Sequence, residues 1–155
     1  LQIPEATVWT RLHGARKQLL AHFEKASGSD RVGVTGFCMG GALTVLSSAL
    51  VPEADAAVIW YGYPPLEFVD GGKITIPVMG HWATDDEAFP IDGVDRLEQT
   101  LGDAGVDFTF HRYDARHAFA NEDADPEKVS FTQYEPTAAA LAWNRTTAFL
   151  DRHLK

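Results

Sequence analysis

The run Gly36-Phe37-Cys38-Met39-Gly40-Gly41 follows a short apolar stretch, Val32-Gly33-Val34-Thr35, and opens an apolar segment with helical character. A chain that turns this sharply from strand into helix lifts one side chain clear of the sheet and leaves backbone N–H groups beside it. Glycines at the flanks remove Cβ atoms that would clash there or forbid the backbone angles. The lifted side chain would be Cys38, the only cysteine of the chain. The segment is therefore a candidate nucleophile elbow, although a cysteine in apolar surroundings is by default a small buried hydrophobe.

The rest of the pattern extends the same architecture. Val8, Leu12, Ala15, Leu19 and Phe23 recur at helical spacing, which predicts an amphipathic helix over about 5–26. Ser27-Gly28-Ser29-Asp30 ends it, and 31–35 reads as a strand. The helix after the elbow, 39–50, is apolar on most sides and is expected to be buried; Pro52 stops it. Strands follow at 56–61, 78–82 and 106–113, the last alternating apolar and polar residues. Asp92 is expected to cap a helix carrying Val94, Leu97 and Leu101, with Gly105 as its stop. A final helix is expected over 137–153. Strands and helices alternate, with one helix-free loop between the second and third strands. That order predicts a single α/β domain whose sheet, of about four strands, is mainly parallel and flanked by helices.

Composition narrows the function. A chain of 155 residues can bury a real core. A formal charge of −9 disfavours nucleic acid and anionic membrane surfaces as partners. No apolar run approaches the roughly 18 residues of a membrane span. One cysteine excludes an intrachain disulfide, which fits a reducing compartment, and a cytoplasmic location is expected. Neither His81 nor His111 shows metal-ligand spacing, and no metal or organic cofactor is expected. The sequence opens at Leu1 and enters helical periodicity within a few residues, which predicts a chain lacking an upstream part.

In open α/β sheets ligands bind at the carboxyl ends of the strands. Past the first strand stands Cys38. Past the third stand Asp85 and Asp86, and past the fourth comes His117. A nucleophile, an acid and a histidine thus share one sheet edge in α/β-hydrolase order. A thiolate can attack a carbonyl carbon, and a helix N-terminus and an imidazolium both favour it. His117 could relay the proton, a carboxylate could orient the imidazole, and the Met39 N–H could hold an oxyanion. Phe37, Tyr61, Trp82 and Phe119 are candidates to line a substrate pocket.

These residues resemble the dienelactone hydrolase family. The elbow Gly36–Gly41 is similar to that family's cysteine elbow. The segment from His81 to Pro90 resembles its acid loop, whose aspartate precedes a proline by four residues; this selects Asp86 over Asp85. The segment from Tyr113 to Asn121 resembles its histidine loop, and the run from Ala142 to Leu150 its last helix. The resemblance implies the C-terminal portion of an α/β-hydrolase fold. It implies hydrolysis of a small carboxylic ester or lactone through an acyl-cysteine, by a triad of Cys38, His117 and Asp86.

It also implies further strands before the first one here, carrying a second oxyanion donor, a glutamate near the cysteine and part of the pocket. Without them the first strand becomes an exposed edge. Self-association through that edge is then expected, and the triad would be crippled unless another chain completes it. Three positions depart from the family pattern. Asn121 stands where the type enzyme has an arginine that helps bind a substrate carboxylate, which disfavours an anionic dienelactone. Arg116 and Ala118 replace glycines that commonly flank the histidine, and Ala83 replaces a frequent glycine in the acid loop. The competing reading is a non-catalytic domain of the same fold that uses Cys38 for redox sensing or partner binding. A flavodoxin-like fold bearing a cysteine elbow fits less well, because it need not repeat the hydrolase order.

Overall fold

The chain divides into two compact units, Leu1–Asp30 with Lys155, and Arg31–Leu154. The structure, a computed structural model, describes residues 29–155. The helix expected over 5–26 lies outside the described residues.

The second unit is built on a four-stranded, all-parallel sheet in the order β1-β2-β3-β4. Its strands are β1 (Gly33–Phe37), β2 (Ala56–Trp60), β3 (Val78–Asp85) and β4 (Phe108–Arg116). Helix α1 (Met39–Leu50) joins β1 to β2, α2 (Ile91–Asp103) joins β3 to β4, and α3 (Pro136–Leu154) closes the unit. Between β2 and β3 the chain makes only two single 3-10 turns, Leu66–Phe68 and Gly71–Lys73.

Period-two alternation on the strands separates two apolar layers. Ala56, Val58 and Trp60 of β2 join Met79, Tyr113 and Phe119 under Ala138, Ala142 and Phe149 of α3. Ala57 and Ile59 face the other way, to Val45 of α1 and Val94, Leu97 and Leu101 of α2. Every residue of β2 is buried. At about 1.5–3 kcal/mol for each large apolar side chain removed from water, this strand anchors the sheet.

Helix α2 ends in a Schellman arrangement: Val106 N–H donates to Leu101 O at 3.0 Å and Gly105 N–H to Gly102 O at 3.0 Å. Gly105 stands at φ +71°, which is why glycine is needed there. The expected cap at Asp92 is corrected: the helix begins at Ile91 after Pro90, and Asp92 lies in its first turn, where a carboxylate still faces the positive end of the helix.

Strand ends also differ from the pattern. β1 starts two residues late, with Val32 N–H donating instead to Asp55 Oδ2 at 2.7 Å. β3 and β4 each run three residues beyond the expected ends, because the ladder continues through polar residues at the rim that apolar periodicity cannot register. Helix α1 is not buried all round. Gly41, Thr44, Val45 and Ser48 face inward, whereas Met39, Leu43 and Leu50 are exposed. Beside them lies β1, with exposed residues alternating along it; among the described residues it is one edge of the sheet and β4 is the other. No described helix is long and apolar enough to cross a membrane.

Candidate active site

The carboxyl ends of all four strands converge on one rim. At the end of β1 the backbone of Cys38 takes φ 57° and ψ −121°, a conformation that costs a non-glycine residue about 1–3 kcal/mol. Several contacts impose it. Cys38 N–H donates to Trp60 O at 3.0 Å, and Cys38 O accepts from Ala42 N–H at 3.2 Å. A Cβ on Gly36 would overlap the Gly40 carbonyl, and one on Gly41 would stand 2.6 Å from Trp60 O. A Cβ on Gly62 would overlap the Cys38 carbonyl oxygen. Gly40 has no neighbour that a Cβ would meet. The outer glycines of the elbow are thus dictated by close approach, and the middle one is not.

Just past β2, Tyr61 also has positive φ, 36°, with its N–H donating to His81 O at 2.8 Å. Its ring stands edge-on to His117, with centroids 5.2 Å apart. Burial pushes the pKa of its hydroxyl well above the ordinary phenol value, and the negative charges at Cys38 and Asp86 add to the effect.

Past β3, Asp86 is buried, while its neighbour Asp85 turns outward. Asp86 Oδ1 accepts from Ala88 N–H at 2.9 Å and Phe89 N–H at 2.8 Å. Its Oδ2 lies 2.8 Å from Nδ1 of His117, the first residue past β4. A carboxylate there fixes the proton on Nδ1 and leaves Nε2 as the basic nitrogen. His117 is 3% exposed and is enclosed by aromatic rings. Phe89 stacks on it at 5.6 Å and Phe131 is tilted at 5.9 Å. Its carbonyl accepts from Gln133 N–H at 3.1 Å. Ala118, where the family pattern favours glycine, has φ 61°. The loop keeps a glycine-like bend despite its Cβ.

The Cys38 thiol is half-buried at the margin of the α3-side core and makes no hydrogen bond among the described residues. Met39 begins α1, where the first backbone N–H groups have no partner within the helix. Phe37, 39% exposed, stacks on Trp60 at 5.0 Å beside the elbow. Asn121 is exposed, with Oδ1 accepting from Asp123 N–H at 3.0 Å. Two expected pocket residues lie elsewhere. Trp82 is a core side chain packed with Val94 and Leu97 on the α2 side, and Phe119 is wholly buried beneath Tyr61. β3 is covered on both faces from Val78 to Ala83, which encloses Trp82, and the turn after β4 tucks Phe119 into the core.

Sequence reasoning missed Phe89 and Phe131. Their only signal is an aromatic residue beside a site loop, which is too common to select them. It also missed a buried polar group beneath the rim. His81 Nδ1 is 2.9 Å from Tyr113 Oη and Nε2 is 2.8 Å from Thr146 Oγ1 of α3. Arg145 Nη1 donates to the same Tyr113 oxygen at 3.1 Å. Burial, then His111 and Arg145, push the His81 pKa down to about 3. No cluster of metal-ligating side chains occurs among the described residues.

The dienelactone hydrolase family matches this sequence over residues 3–154. The chain belongs to that family. Among its relatives, Protein usf of Aquifex pyrophilus is 35% identical over 126 residues, which make up 80% of this chain and 52% of that protein. The carboxymethylenebutenolidase of Rhodococcus opacus is 35% identical over 136 residues, 79% of this chain and 50% of that one. The chain thus spans about half the length of these curated relatives. A dienelactone hydrolase-like promiscuous phosphotriesterase from metagenomic libraries superposes with a TM-score of 0.73 at 21% identity, over 83% of this chain and 54% of that one. That likeness establishes the fold, a four-stranded part of the α/β-hydrolase sheet.

Proposed function

We propose that this dienelactone hydrolase family member contributes the acyl-transfer machinery of a hydrolase acting on a small, uncharged carboxylic ester or lactone. The observation that carries the reading is the buried His117–Asp86 hydrogen bond of 2.8 Å on the same rim as the strained Cys38 turn. His117 Nε2 takes the thiol proton, which requires Cys38 Sγ to swing within reach of it. Catalytic hydrogen bonds often tighten only when substrate binds. The thiolate attacks the acyl carbon and forms the C–S bond. The Met39 N–H holds the resulting oxyanion, an interaction worth about 3–4 kcal/mol in comparable sites. Collapse expels the alkoxide, which takes the proton back from His117. Water, deprotonated by the same nitrogen, then attacks the thioester, releases the acid and restores the thiol. Asp86 keeps the imidazole oriented throughout. No step needs a metal or an organic cofactor.

An uncharged substrate fits the surroundings. Asn121 offers no cation for a substrate carboxylate, Glu122 and Asp123 follow it, and the chain carries a formal charge of −9. The redox-sensing reading leaves the ordered His117–Asp86 pair without a purpose.

The test is turnover of p-nitrophenyl esters and lactones, with mass spectrometry for an acyl adduct on Cys38. Cys38→Ala, His117→Ala and Asp86→Asn are each expected to lose most activity, roughly 10³-fold or more for the first two. Cys38→Ser retains part of it, because serine can use the same base. Unchanged ester turnover in Cys38→Ala refutes the covalent mechanism.

A further inference from the structure

We infer that Arg116 is a positioning residue that clamps the acid loop to the histidine loop from outside and so holds Asp86 against His117. The inference rests on the reading of that pair as catalytic. Arg116 directly precedes His117, and Asp85 and Glu87 stand on either side of Asp86. Asp85 and Arg116 are the last Cα partners of the β3–β4 ladder, just beyond its irregularity at Ala83/Asp85. Arg116 Nε lies 3.7 Å from Asp85 Oδ2, and Nη2 donates to Glu87 Oε1 at 3.2 Å. Two short segments, 85–87 and 116–117, therefore meet twice: inside through Asp86 and His117, outside through one guanidinium spanning two carboxylates.

Past the ladder little else joins these loops. The bonds from Ala88 and Phe89 N–H to Asp86 Oδ1 shape the acid loop from within and do not tie it to β4. The Phe89 ring against His117 is an apolar contact that tolerates sliding. The Arg116 guanidinium resists it, because it hydrogen-bonds Glu87 while pairing by charge with Asp85, a span that the compact ammonium of a lysine covers less well. The carboxylates are 73% and 66% exposed, so the clamp adds little to global stability and is open to salt. Its effect belongs to the alignment of the pair, where small displacements change rate steeply.

The experiment compares wild type with Arg116→Ala, Arg116→Lys and Glu87→Gln in ester turnover and in NMR exchange of the His117 Nδ1 proton with water. Arg116→Ala is expected to lower kcat about five-fold with KM unchanged, to speed proton exchange by a similar factor and to leave Tm within about 2 °C. Arg116→Lys recovers part of both losses. Added salt of about 0.5 M carries wild type toward the Arg116→Ala values and leaves that variant in place. Glu87→Gln gives a smaller effect of the same kind and serves as the primary variant if Arg116→Ala does not fold. Unchanged proton exchange in folded Arg116→Ala, or in Glu87→Gln where that variant takes its place, overturns the clamp, whatever happens to kcat. If Cys38→Ala retains full turnover, the covalent reading fails, while the exchange measurement still decides the clamp.

Discussion

The buried His81 gives this fold a built-in acid sensitivity whose size can be worked out. The ring is enclosed by Trp60, Tyr113 and Thr146, with His111 and Arg145 nearby, and its pKa is about 3 against 6.5 when unfolded. The folded chain therefore resists the proton that the unfolded chain accepts. The contribution is fully present above pH 6.5 and falls as pH drops from there toward 3. For one site with these two values, going from near pH 7 to near pH 5 removes about 2 kcal/mol of stability. His81→Gln keeps a hydrogen-bonding group and removes the titration. Urea unfolding at the two pH values, followed by tryptophan fluorescence, should show wild type losing about 2 kcal/mol more than the variant. His111, whose pKa is also lowered, and the carboxylates are common to both proteins and cancel in the difference. Equal losses within about 0.5 kcal/mol would refute the reasoning, as would an NMR titration in which the His81 ring protonates near pH 6. The NMR arm serves even if the variant proves too unstable to study.

Two further outcomes are expected. Ala118→Gly should stabilise the protein by up to about 1 kcal/mol in chemical denaturation, because relief of the φ 61° backbone exceeds the entropy added to the unfolded chain. A loss of stability would mean that the Ala118 methyl packs more usefully than its conformation costs. Among the described residues β1 is an edge strand beside the exposed Met39, Leu43 and Leu50, and the chain is expected to self-associate there as concentration rises, with Leu43→Lys weakening that in sedimentation velocity. A concentration-independent monomer would count against the edge as an adhesive surface.

How much of this was legible beforehand depended on the kind of signal. The elbow announced itself because steric demand at Gly36 and Gly41 leaves almost no choice of residue. The parallel order followed from alternation, and the choice of Asp86 over Asp85 rested on the resemblance to the family's acid loop, whose aspartate precedes a proline by four residues, because distance from the strand alone could not separate the two. The stop at Gly105 was readable because φ +71° selects glycine. Polar strand ends were not readable, since hydrogen bonding in the ladder leaves no apolar period. Nor was the His81 group, which joins residues 32 and 65 positions away in sequence through hydroxyls that occur everywhere. Trp82 and Phe119 looked like pocket residues because aromatics near a site suggest one; packing, not chemistry, accounts for both.

Because β1, β2, β3 and β4 lie side by side in chain order, the Cys38 turn, Tyr61, Asp86 and His117 stand at the tips of successive neighbours. Such a block is portable. Its internal spacing is set by one run of polypeptide, so a change in whatever borders the block need not shift these four positions relative to one another.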